Sequence, residues 1–262
     1  DPYEARNRTA LEKQIELAED VISSELEEQN KNELRVLDVG CGTGELVRFL
    51  EEKEEIDEVV GLDLSKGMKT AAENHTRVRS KIVQDDIRSP TEIEQRDFDI
   101  VFMFRTFTYM YEDEDIRQAL ESISNLLRRG GLLVFDCVNK NELWENGQIP
   151  EDRNYALNEP SNLGNISGAP NIKVDYEGRY ISEDFDEGKY IYQSHYYITP
   201  LNSDDRFQTE FEITEKEKLR ALSRSEIKNR MIARLDVEED QPDFNPHEST
   251  PAMNFINFVR KA

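Results

Sequence analysis

The feature that most constrains the fold is a short apolar run that leads directly into a glycine-rich turn. Residues 36–39 have the composition of a buried strand, and Gly40, Gly42 and Gly44 follow at alternate positions. Glycine has no Cβ atom, so such a turn can bend sharply and bring its backbone close to a ligand, and a helix that starts there offers unpaired N–H groups. The pattern predicts a strand, a ligand-binding turn and a helix in direct succession.

The segments around this turn alternate between strand and helix patterns. Apolar residues at helical spacing predict a first helix over residues 9–26, and Ser65 is the N-cap candidate of a later helix. The next predicted strands are 35–39, 58–62, 81–84, 99–104 and 132–136, and the predicted helices are 44–52, 66–73 and 113–127. A turn at residues 129–131 is predicted before the fifth strand. Strands that alternate with helices in this way predict a parallel sheet covered on both faces.

The pattern changes after residue 138. Residues 139–171 are rich in Asn, Gly, Pro and Glu, which predicts a long loop. Three short antiparallel strands are then predicted at 174–180, 190–197 and 207–213, and two last strands of the main sheet at 233–237 and 255–259. A capping box from Ser223 to Glu226 predicts the start of a helix between these two groups of strands.

These elements predict a single α/β domain over residues 1–262. Its core is expected at 30–138 and 218–262, with the antiparallel insertion at 170–215 acting as a lid. The main sheet has seven predicted strands, mostly parallel, and helices on both faces.

The net charge disfavours nucleic acid as a partner. The chain has 56 acidic and 33 basic residues, a formal net charge of -23, and a surface this negative repels phosphate backbones at ordinary ionic strength. An acidic surface suits a cytoplasm of high salt, because screening removes the self-repulsion. We therefore favour a salt-loving host as the explanation.

Other features of the sequence favour a cytoplasmic protein that has no membrane partner and binds no metal. No run approaches the roughly eighteen apolar residues of a membrane span, and no secretory pattern stands at the N-terminus. Cys41 and Cys137 lie in apolar segments, which suits reduced, buried thiols better than a disulfide or a metal site. The sequence carries no signal for an oligomeric state.

The turn and the second predicted strand together indicate a nucleoside ligand. Asp63 ends that strand about 20 residues after the last glycine, where a carboxylate can accept hydrogen bonds from both hydroxyls of a ribose. Dinucleotide-binding turns have the spacing G-x-G-x-x-G, whereas this turn has G-x-G-x-G preceded by Asp38. An acid at that position would repel a pyrophosphate and would suit a cationic aminoacyl group. A different nucleoside, such as a nicotinamide cofactor of a dehydrogenase, stays open as an alternative.

Residues 36–44 closely resemble the first motif of class I S-adenosylmethionine-dependent methyltransferases. The resemblance extends from about residue 34 to residue 136 and reappears over 233–259, where the family adds its final antiparallel strand. It implies a Rossmann-like fold, S-adenosylmethionine as the cofactor, and methyl transfer as the activity.

The resemblance also implies roles for particular residues. The methionine portion of the cofactor would lie against the glycines and Asp38, the ribose would bind Asp63, and Asp86 would read the adenine amino group, with Asp85 as the alternative. The implied cofactor-binding set is Asp38, Gly40, Cys41, Gly42, Gly44, Asp63, Leu64, Met68, Asp85, Asp86, Ile87 and Phe104.

The segment after the fourth strand, residues 105–109, would line the methyl-acceptor side in the same family pattern. Arg105 and Tyr109 are its catalytic candidates, and His195, which lies among tyrosines of the insertion, is the candidate base. The favoured function is methyl transfer to N or O of a small-molecule acceptor. A protein or tRNA acceptor, and a non-catalytic partner subunit that binds S-adenosylmethionine, stay open as alternatives.

Overall fold

The computed structural model describes residues 2–76, 80–150, 155–157, 172–200, 210–231, 235–237, 243–244 and 254–262. The helices in this part of the chain are α1 (Pro2–Gln29), α2 (Glu45–Leu50), α3 (Lys66–His75), α4 (Asp113–Leu126), α5 (Lys140–Leu143) and α6 (Arg224–Arg230), with a 3₁₀ turn at Phe107–Tyr109. The strands are β1 (Leu34–Val39), β2 (Ile56–Asp63), β3 (Lys81–Gln84), β4 (Phe98–Met103), β5 (Leu127–Val138), β6 (Tyr155–Leu157), β7 (Ile172–Asp184), β8 (Lys189–Pro200), β9 (Phe211–Arg220), β10 (Leu235–Val237), β11 (Asp243–Phe244) and β12 (Asn254–Lys261). None of the helices described is long and apolar enough to span a membrane.

The main sheet has the strand order β10-β12-β5-β4-β1-β2-β3. Strands β1 to β5 pair in parallel, whereas β12 runs antiparallel to β5 and β10 antiparallel to β12. The predicted Rossmann-like α/β fold is confirmed. A short eighth strand, β11, pairs with β12 and was not predicted, because a strand of two residues has no detectable periodicity.

Helices cover the sheet on both faces, as predicted. Adjacent residues of β1 show how the sequence achieves this, because successive side chains of a strand point to opposite faces. Val36 packs in a buried cluster with Val21 of α1 and Val47 of α2, whereas Leu37 packs in a second cluster with Leu120 of α4. The near-continuous apolar composition of the central strands is the consequence of burial on both faces.

The strand order places the glycine turn, residues 40–44, at the switch point of the sheet. The chain proceeds outwards from β1 to β2 and β3 on one side, and from β4 to β5 on the other. At such a point the loops after the two central strands separate and leave a crevice beyond their carboxyl ends. The glycine turn after β1 and the acceptor-side segment, residues 105–109, after β4 therefore border one crevice.

The insertion forms a separate antiparallel sheet, with the strand order β6-β7-β8-β9. Its root packs on the core through Trp144, whose Nε1 donates to Ser182 Oγ at 2.9 Å, and through the buried Tyr190. The Tyr190 hydroxyl lies 3.3 Å from Thr108 Oγ1. Because this sheet follows the carboxyl end of β5 and contacts the acceptor-side segment, it stands at the same edge of the molecule as the crevice.

Several predicted boundaries were wrong. The expected loop at 139–171 contains α5 and β6, and the expected turn at 129–131 lies inside β5, where Gly130 has a φ of 72°. The third inserted strand was expected at 207–213 but is Phe211–Arg220, and residues 201–209 lie outside those described. The sequence of β9 alternates Glu and Lys over much of its length, so it lacks the apolar alternation that predicts a strand. Its Leu219 packs in a buried cluster with Tyr190 of β8, and that contact appears only in the tertiary structure. The predicted end of the insertion at residue 215 and the predicted resumption of the core at residue 218 therefore both fall within β9. The division of the chain into core and insertion stays a prediction.

The remaining local signals agree with the structure. Ser65 caps α3 by accepting a hydrogen bond from the Met68 N–H, and the Ser223 capping box opens α6 with Glu226. These motifs are predictable because each depends only on residues three positions apart.

Candidate functional site

The glycine turn folds back against the end of β2. The N–H groups of Gly40 and Cys41 both donate to the Leu62 carbonyl oxygen, at 2.7 and 3.0 Å. Gly40 has a φ of +74°, and a Cβ atom there would lie 1.9 Å from Oγ1 of Thr106. Only glycine fits this position, because the acceptor-side segment packs directly on it.

Gly42 occupies the opposite, open side of the same turn. Its φ is +56°, and a Cβ atom added there would have no neighbour within 4 Å. The Gly42 N–H donates to Asp63 Oδ2 at 3.0 Å, and the Ser65 N–H donates to Asp63 Oδ1 at 2.8 Å. Each carboxylate oxygen has a second lone pair, so Asp63 is held in place and can still accept hydrogen bonds from a ligand.

Asp38 is buried beneath this turn, with 4% of its surface exposed. Burial, followed by the negative charges of Asp63 and Glu45, raises its pKa to about 7. Among the described residues, none donates a hydrogen bond to the Asp38 carboxylate. A buried carboxylate without a donor favours a nearby cation, which would stabilise its ionised form.

Two apolar side chains lie unusually exposed beside Asp63. Leu64 is 62% exposed and Met68 is 44% exposed. Both follow β2 directly, one in the turn and one in the first turn of α3. They offer an apolar surface on which a flat ring such as a purine base can lie.

The two neighbouring acids after β3 have different partners. Asp85 Oδ2 accepts from the N–H groups of Thr91 and Glu92 at 2.7 and 2.6 Å, so its carboxylate is committed to its own loop. Asp86 pairs with Arg88, whose Nη2 lies 2.6 Å from Asp86 Oδ2. The hydrogen bonds from Arg88 lower the Asp86 pKa below its ordinary value.

Arg88 also reaches the N-terminus of α4. Its Nη1 lies 2.7 Å from Asp115 Oδ1, and Asp115 is the residue whose side chain accepts from the Glu112 N–H in the capping box of α4. The loop that carries Asp86 and Ile87 is thereby tied to a helix of the core, and Ile87 itself is buried.

The acceptor-side segment begins with an unusual backbone conformation at Arg105. Its φ is +54°, and its N–H donates to Oδ1 of the buried Asp136 at 2.5 Å, while the Arg105 side chain is exposed. Phe104 is buried and stacks on Phe102, with 5.4 Å between ring centroids. Phe104 therefore contributes to the core packing beside the crevice.

Tyr109 connects this segment to the inserted sheet. It is 50% exposed, and its hydroxyl donates to Glu217 Oε1 at 2.9 Å. Thr108 Oγ1 donates to the carbonyl oxygen of Arg220 at 2.9 Å, so two consecutive side chains fasten the segment to β9.

His195 has its described partners within the inserted sheet. Its Nδ1 lies 2.7 Å from Thr214 Oγ1, its Nε2 lies 3.3 Å from Glu212 Oε2, and its ring centroid is 4.5 Å from that of Tyr197. Because side chains alternate along β8, His195 lies on the face opposite Tyr190. None of these described contacts is with the glycine turn, and its catalytic role stays a prediction.

Sequence reasoning missed two residues of this region. Asp136 had a usable signal, because it is a single acid inside an otherwise apolar strand. Glu217 had none, because it lies in a strand of alternating charges and meets Tyr109 only through the tertiary fold.

Comparison with known proteins identifies the central part of the chain. Residues 36–131 match the family model described as a methyltransferase domain. This segment is a methyltransferase domain. This match agrees with the resemblance of residues 36–44 to the first motif of class I S-adenosylmethionine-dependent methyltransferases.

Several named relatives match part of the chain. A methyltransferase of Geobacillus sp. (strain WCH70) is 36% identical over 104 residues, which cover 39% of this chain and 41% of that protein. The match thus spans less than half the length of that relative. A glycine/sarcosine N-methyltransferase of Aphanothece halophytica is 27% identical over 174 residues, covering 65% of this chain and 62% of the relative.

Solved structures resemble almost the whole chain. An S-adenosylmethionine-dependent methyltransferase from Clostridium acetobutylicum has a TM-score of 0.67 and 20% identity, covering 92% of this chain and 89% of its own. An S-adenosylmethionine-bound amino pentose methyltransferase from Micromonospora echinaspora has a TM-score of 0.70 and 17% identity, covering 100% and 97%. At these identities the similarity establishes the fold.

Proposed function

We propose that this chain is an enzyme that transfers a methyl group from S-adenosylmethionine to N or O of a small-molecule acceptor. The observation that carries the proposal is the buried Asp38 carboxylate, which has no described hydrogen-bond donor and lies beneath a glycine turn whose Gly42 face is open. When bound, the cofactor supplies a methyl carbon that its sulfonium charge makes electrophilic. Few protein groups are then needed, since proximity and orientation provide most of the rate acceleration.

The donor set of the crevice fits this cofactor. Asp38 suits the cationic aminoacyl end, and Asp63, already positioned by two backbone N–H groups, suits the ribose hydroxyls. Leu64 and Met68 suit the adenine ring, and Asp86 suits its amino group. We keep Gly40, Cys41, Gly44, Asp85, Ile87 and Phe104 as supporting residues of this proposed site.

The acceptor side supports a small molecule. The acceptor-side segment and the root of the inserted sheet border the crevice, with Tyr109 exposed between them and Arg105 beside it. Glycine/sarcosine and amino pentose methyltransferases are among the similar proteins, which supports a metabolite as acceptor. A cytoplasmic location is part of the proposal, supported by two buried cysteines that form no disulfide. The salt-loving host stays a prediction.

Calorimetric binding of S-adenosylmethionine and of its demethylated product tests the cofactor part. The wild-type chain should bind both, and Asp63→Ala should lose most of the affinity because it removes the acceptor for the ribose hydroxyls. Asp57→Ala is the matched control, since Asp57 is an exposed acid at the other end of β2. Wild-type affinity in Asp63→Ala, or no binding by the wild type, would contradict the proposal.

Turnover distinguishes the acceptor classes. Incubation with labelled S-adenosylmethionine and separate pools of metabolites, tRNA and protein should label the metabolite pool. Labelling of tRNA or protein would instead support the macromolecular alternative. Cofactor binding without any labelling would support a non-catalytic partner subunit.

A further inference from the structure

Arg105 has a backbone conformation that arginine rarely adopts. Its φ is +54°, in the left-handed region, where the Cβ atom of an ordinary residue comes too close to the backbone. The other described non-glycine residues with a positive φ are Asn30, Asp97 and Asn146, and Asn and Asp adopt this conformation more readily than other types. A strained residue beside a candidate site points to a function of its own side chain.

Contacts on both sides hold this conformation. The Arg105 N–H donates to Oδ1 of the buried Asp136 at 2.5 Å. The Thr106 hydroxyl donates to the Phe104 carbonyl oxygen at 3.0 Å and closes a tight turn with Arg105 at its tip. Thr106 in turn packs on Gly40. Arg105 therefore lies between the end of β5 and the glycine turn, at the border of the crevice.

The Arg105 guanidinium is exposed and has neither a hydrogen-bond partner nor an acidic partner among the described residues. This is unusual in a chain that has 56 acidic and only 33 basic residues. Other arginines have acidic partners, such as Arg35 with Glu58 and Arg128 with Asp99. Because a guanidinium stays charged at every ordinary pH, an exposed one without a partner is ready to bind an anion.

Position distinguishes this arginine from others that are exposed and lack a described partner for the guanidinium. Arg48 lies in the last turn of α2, where the helix dipole favours a cation. Arg129 lies near the start of β5, at the opposite edge of the sheet. Arg179 is the neighbour of Tyr180, whose ring packs on Tyr190, so its side chain points to the opposite face of the inserted sheet. In the described part of the chain, only the arginine after β4 combines this exposure with a place at the crevice border.

Arg105 is held on the acceptor side of the crevice. In the main sheet, β5 lies on one side of β4, and β1 and β2 lie on the other. The cofactor residues Asp38 and Asp63 of the proposed function belong to β1 and β2. The hydrogen bond to Asp136 holds Arg105 towards β5, which leads into the inserted sheet. Its guanidinium is therefore placed to serve the acceptor rather than the cofactor.

The charges around the crevice favour a carboxylate as the anion. A guanidinium presents a planar fork of N–H donors that matches the two oxygens of a carboxylate or of a phosphate. Asp63 and Glu45 place negative charge around the buried Asp38 at the glycine turn. One guanidinium balances one negative charge, so this field disfavours a dianion such as phosphate more strongly than a monoanion.

We propose that the methyl acceptor carries a carboxylate, which the Arg105 guanidinium binds beside the reacting N or O atom. This inference rests on the proposed function and narrows its small-molecule acceptor to compounds with a carboxylate. Two parallel N–H···O bonds fix the orientation of the acceptor towards the methyl group, and orientation is the main contribution that this reaction requires from the protein. The carboxylate itself is not methylated and leaves unchanged with the product.

A pool of small metabolites, incubated with the chain and labelled S-adenosylmethionine, tests the class of the acceptor. One portion of the pool is first treated with phosphatase, and another is amidated at its carboxyl groups with a carbodiimide and excess ammonia. Labelling should persist after phosphatase treatment and should be lost after amidation. The labelled product should keep its label in mild alkali, which releases the methyl group of an ester. The untreated pool mixed with spent reagents is the control.

The Arg105→Met variant tests the residue. Methionine removes the charge and the donors, so the pool concentration that gives half-maximal labelling should rise by about 10- to 100-fold. Affinity for S-adenosylmethionine, measured by calorimetry, should stay unchanged. Arg105→Lys should restore part of the loss, because lysine keeps the charge but lacks the planar fork. Arg129→Met is the matched control, since it removes an exposed arginine at the opposite edge of the sheet.

The Arg105→Gly variant separates binding from stability. Glycine adopts a positive φ freely, so the thermal unfolding midpoint should not fall. Half-maximal labelling should nevertheless require as much of the pool as in Arg105→Met. Labelling at the wild-type pool concentration in both variants would show that the side chain has no part in acceptor binding and would overturn the inference.

Each other outcome contradicts the inference in a distinct way. Labelling that survives amidation, or that is lost after phosphatase treatment, would overturn the carboxylate. Release of the label in mild alkali would show that the carboxylate is itself the methylated group. A loss of S-adenosylmethionine affinity in Arg105→Met would assign the guanidinium to the carboxylate of the cofactor. Cofactor binding without labelling of the pool would overturn the inference and leave the cofactor site intact, whereas failure of the wild type to bind S-adenosylmethionine would overturn the proposed function itself.

Discussion

Replacement of Asp38 by Asn should stabilise the ligand-free protein at high pH and weaken cofactor binding. The Asp38 pKa is raised from 3.8 to about 7 in the folded protein, chiefly by burial. Ionisation of this group therefore opposes folding. A difference of about three in pKa corresponds to about 4 kcal/mol at roughly 1.4 kcal/mol for each tenfold change. Asparagine has nearly the same shape and never ionises, so it avoids this cost.

The sign and the pH window follow from proton linkage. Between about pH 4 and pH 7 the folded state keeps the Asp38 proton while the unfolded state loses it, so wild-type stability falls relative to the variant as pH rises. Below pH 4 both states are protonated and this difference vanishes. Above pH 7 it reaches its full value, so Asp38→Asn should be more stable by up to about 4 kcal/mol.

Urea unfolding at a series of pH values from 4 to 8.5, at one salt concentration, measures this difference. The comparison isolates Asp38 because all other acids are common to both proteins. Asp57→Asn is the control, since the same change at an exposed position should leave stability within about 0.5 kcal/mol. An equal effect of Asp38→Asn at pH 4.5 and pH 8.5, or a destabilisation at pH 8.5, would refute the reasoning.

The same carboxylate should link cofactor binding to proton release. A cation bound beside Asp38 favours its ionised form, and the free carboxyl is about half protonated at pH 7, so binding at that pH should release about half a proton. Calorimetry in buffers of different ionisation enthalpy measures the number released. Asp38→Asn should bind more weakly and release none, and an unchanged proton count in the variant would assign the release to another group.

The remaining predictions concern the turn and the adenine side. Gly42→Ala should lower the free energy of unfolding by only about 1–2 kcal/mol, because its φ is positive but no atom lies where the new Cβ would stand. The same change should block cofactor binding, and wild-type affinity measured by calorimetry would contradict this. Gly40→Ala should lower the free energy of unfolding by about 3 kcal/mol or more, because its Cβ would clash at 1.9 Å, and thermal unfolding measures it. Arg88→Ala should lower stability by at most about 1 kcal/mol, since its ion pair with Asp86 is partly exposed. It should also weaken cofactor affinity, because the Asp86 side chain would lose the partner that holds it in place. An equal loss of affinity in Arg117→Ala, which removes an exposed ion pair on α4, would show a nonspecific charge effect.

Local patterns made the core and the glycine turn predictable. The alternation of strand and helix patterns follows from side-chain periodicity, and the turn at residues 40–44 follows from glycine conformations that other residues adopt only at a cost. Ser65 and Ser223 were identified as caps because each acts on residues three positions away. Asp63 was identified because strand ends in a parallel sheet meet at one edge.

The insertion was less predictable because its strands are stabilised by distant parts of the chain. Strand β9 has no apolar alternation of its own, and its extent to Arg220 follows from pairing with β8 and from contact with the acceptor-side segment. For His195, the sequence suggested a place among tyrosines, but only strand register shows that it faces away from Tyr190.

The sequence by itself determined the fold class, the glycine turn and the acid at the end of β2, because these depend on residues within a few positions of each other. Only the tertiary structure decided that Asp38 is buried without a described donor, that Gly42 is open where Gly40 is closed, and that Tyr109 donates to a glutamate 108 residues away. Burial and hydrogen-bond partners depend on which distant segments meet when the chain packs. No local pattern contains that information.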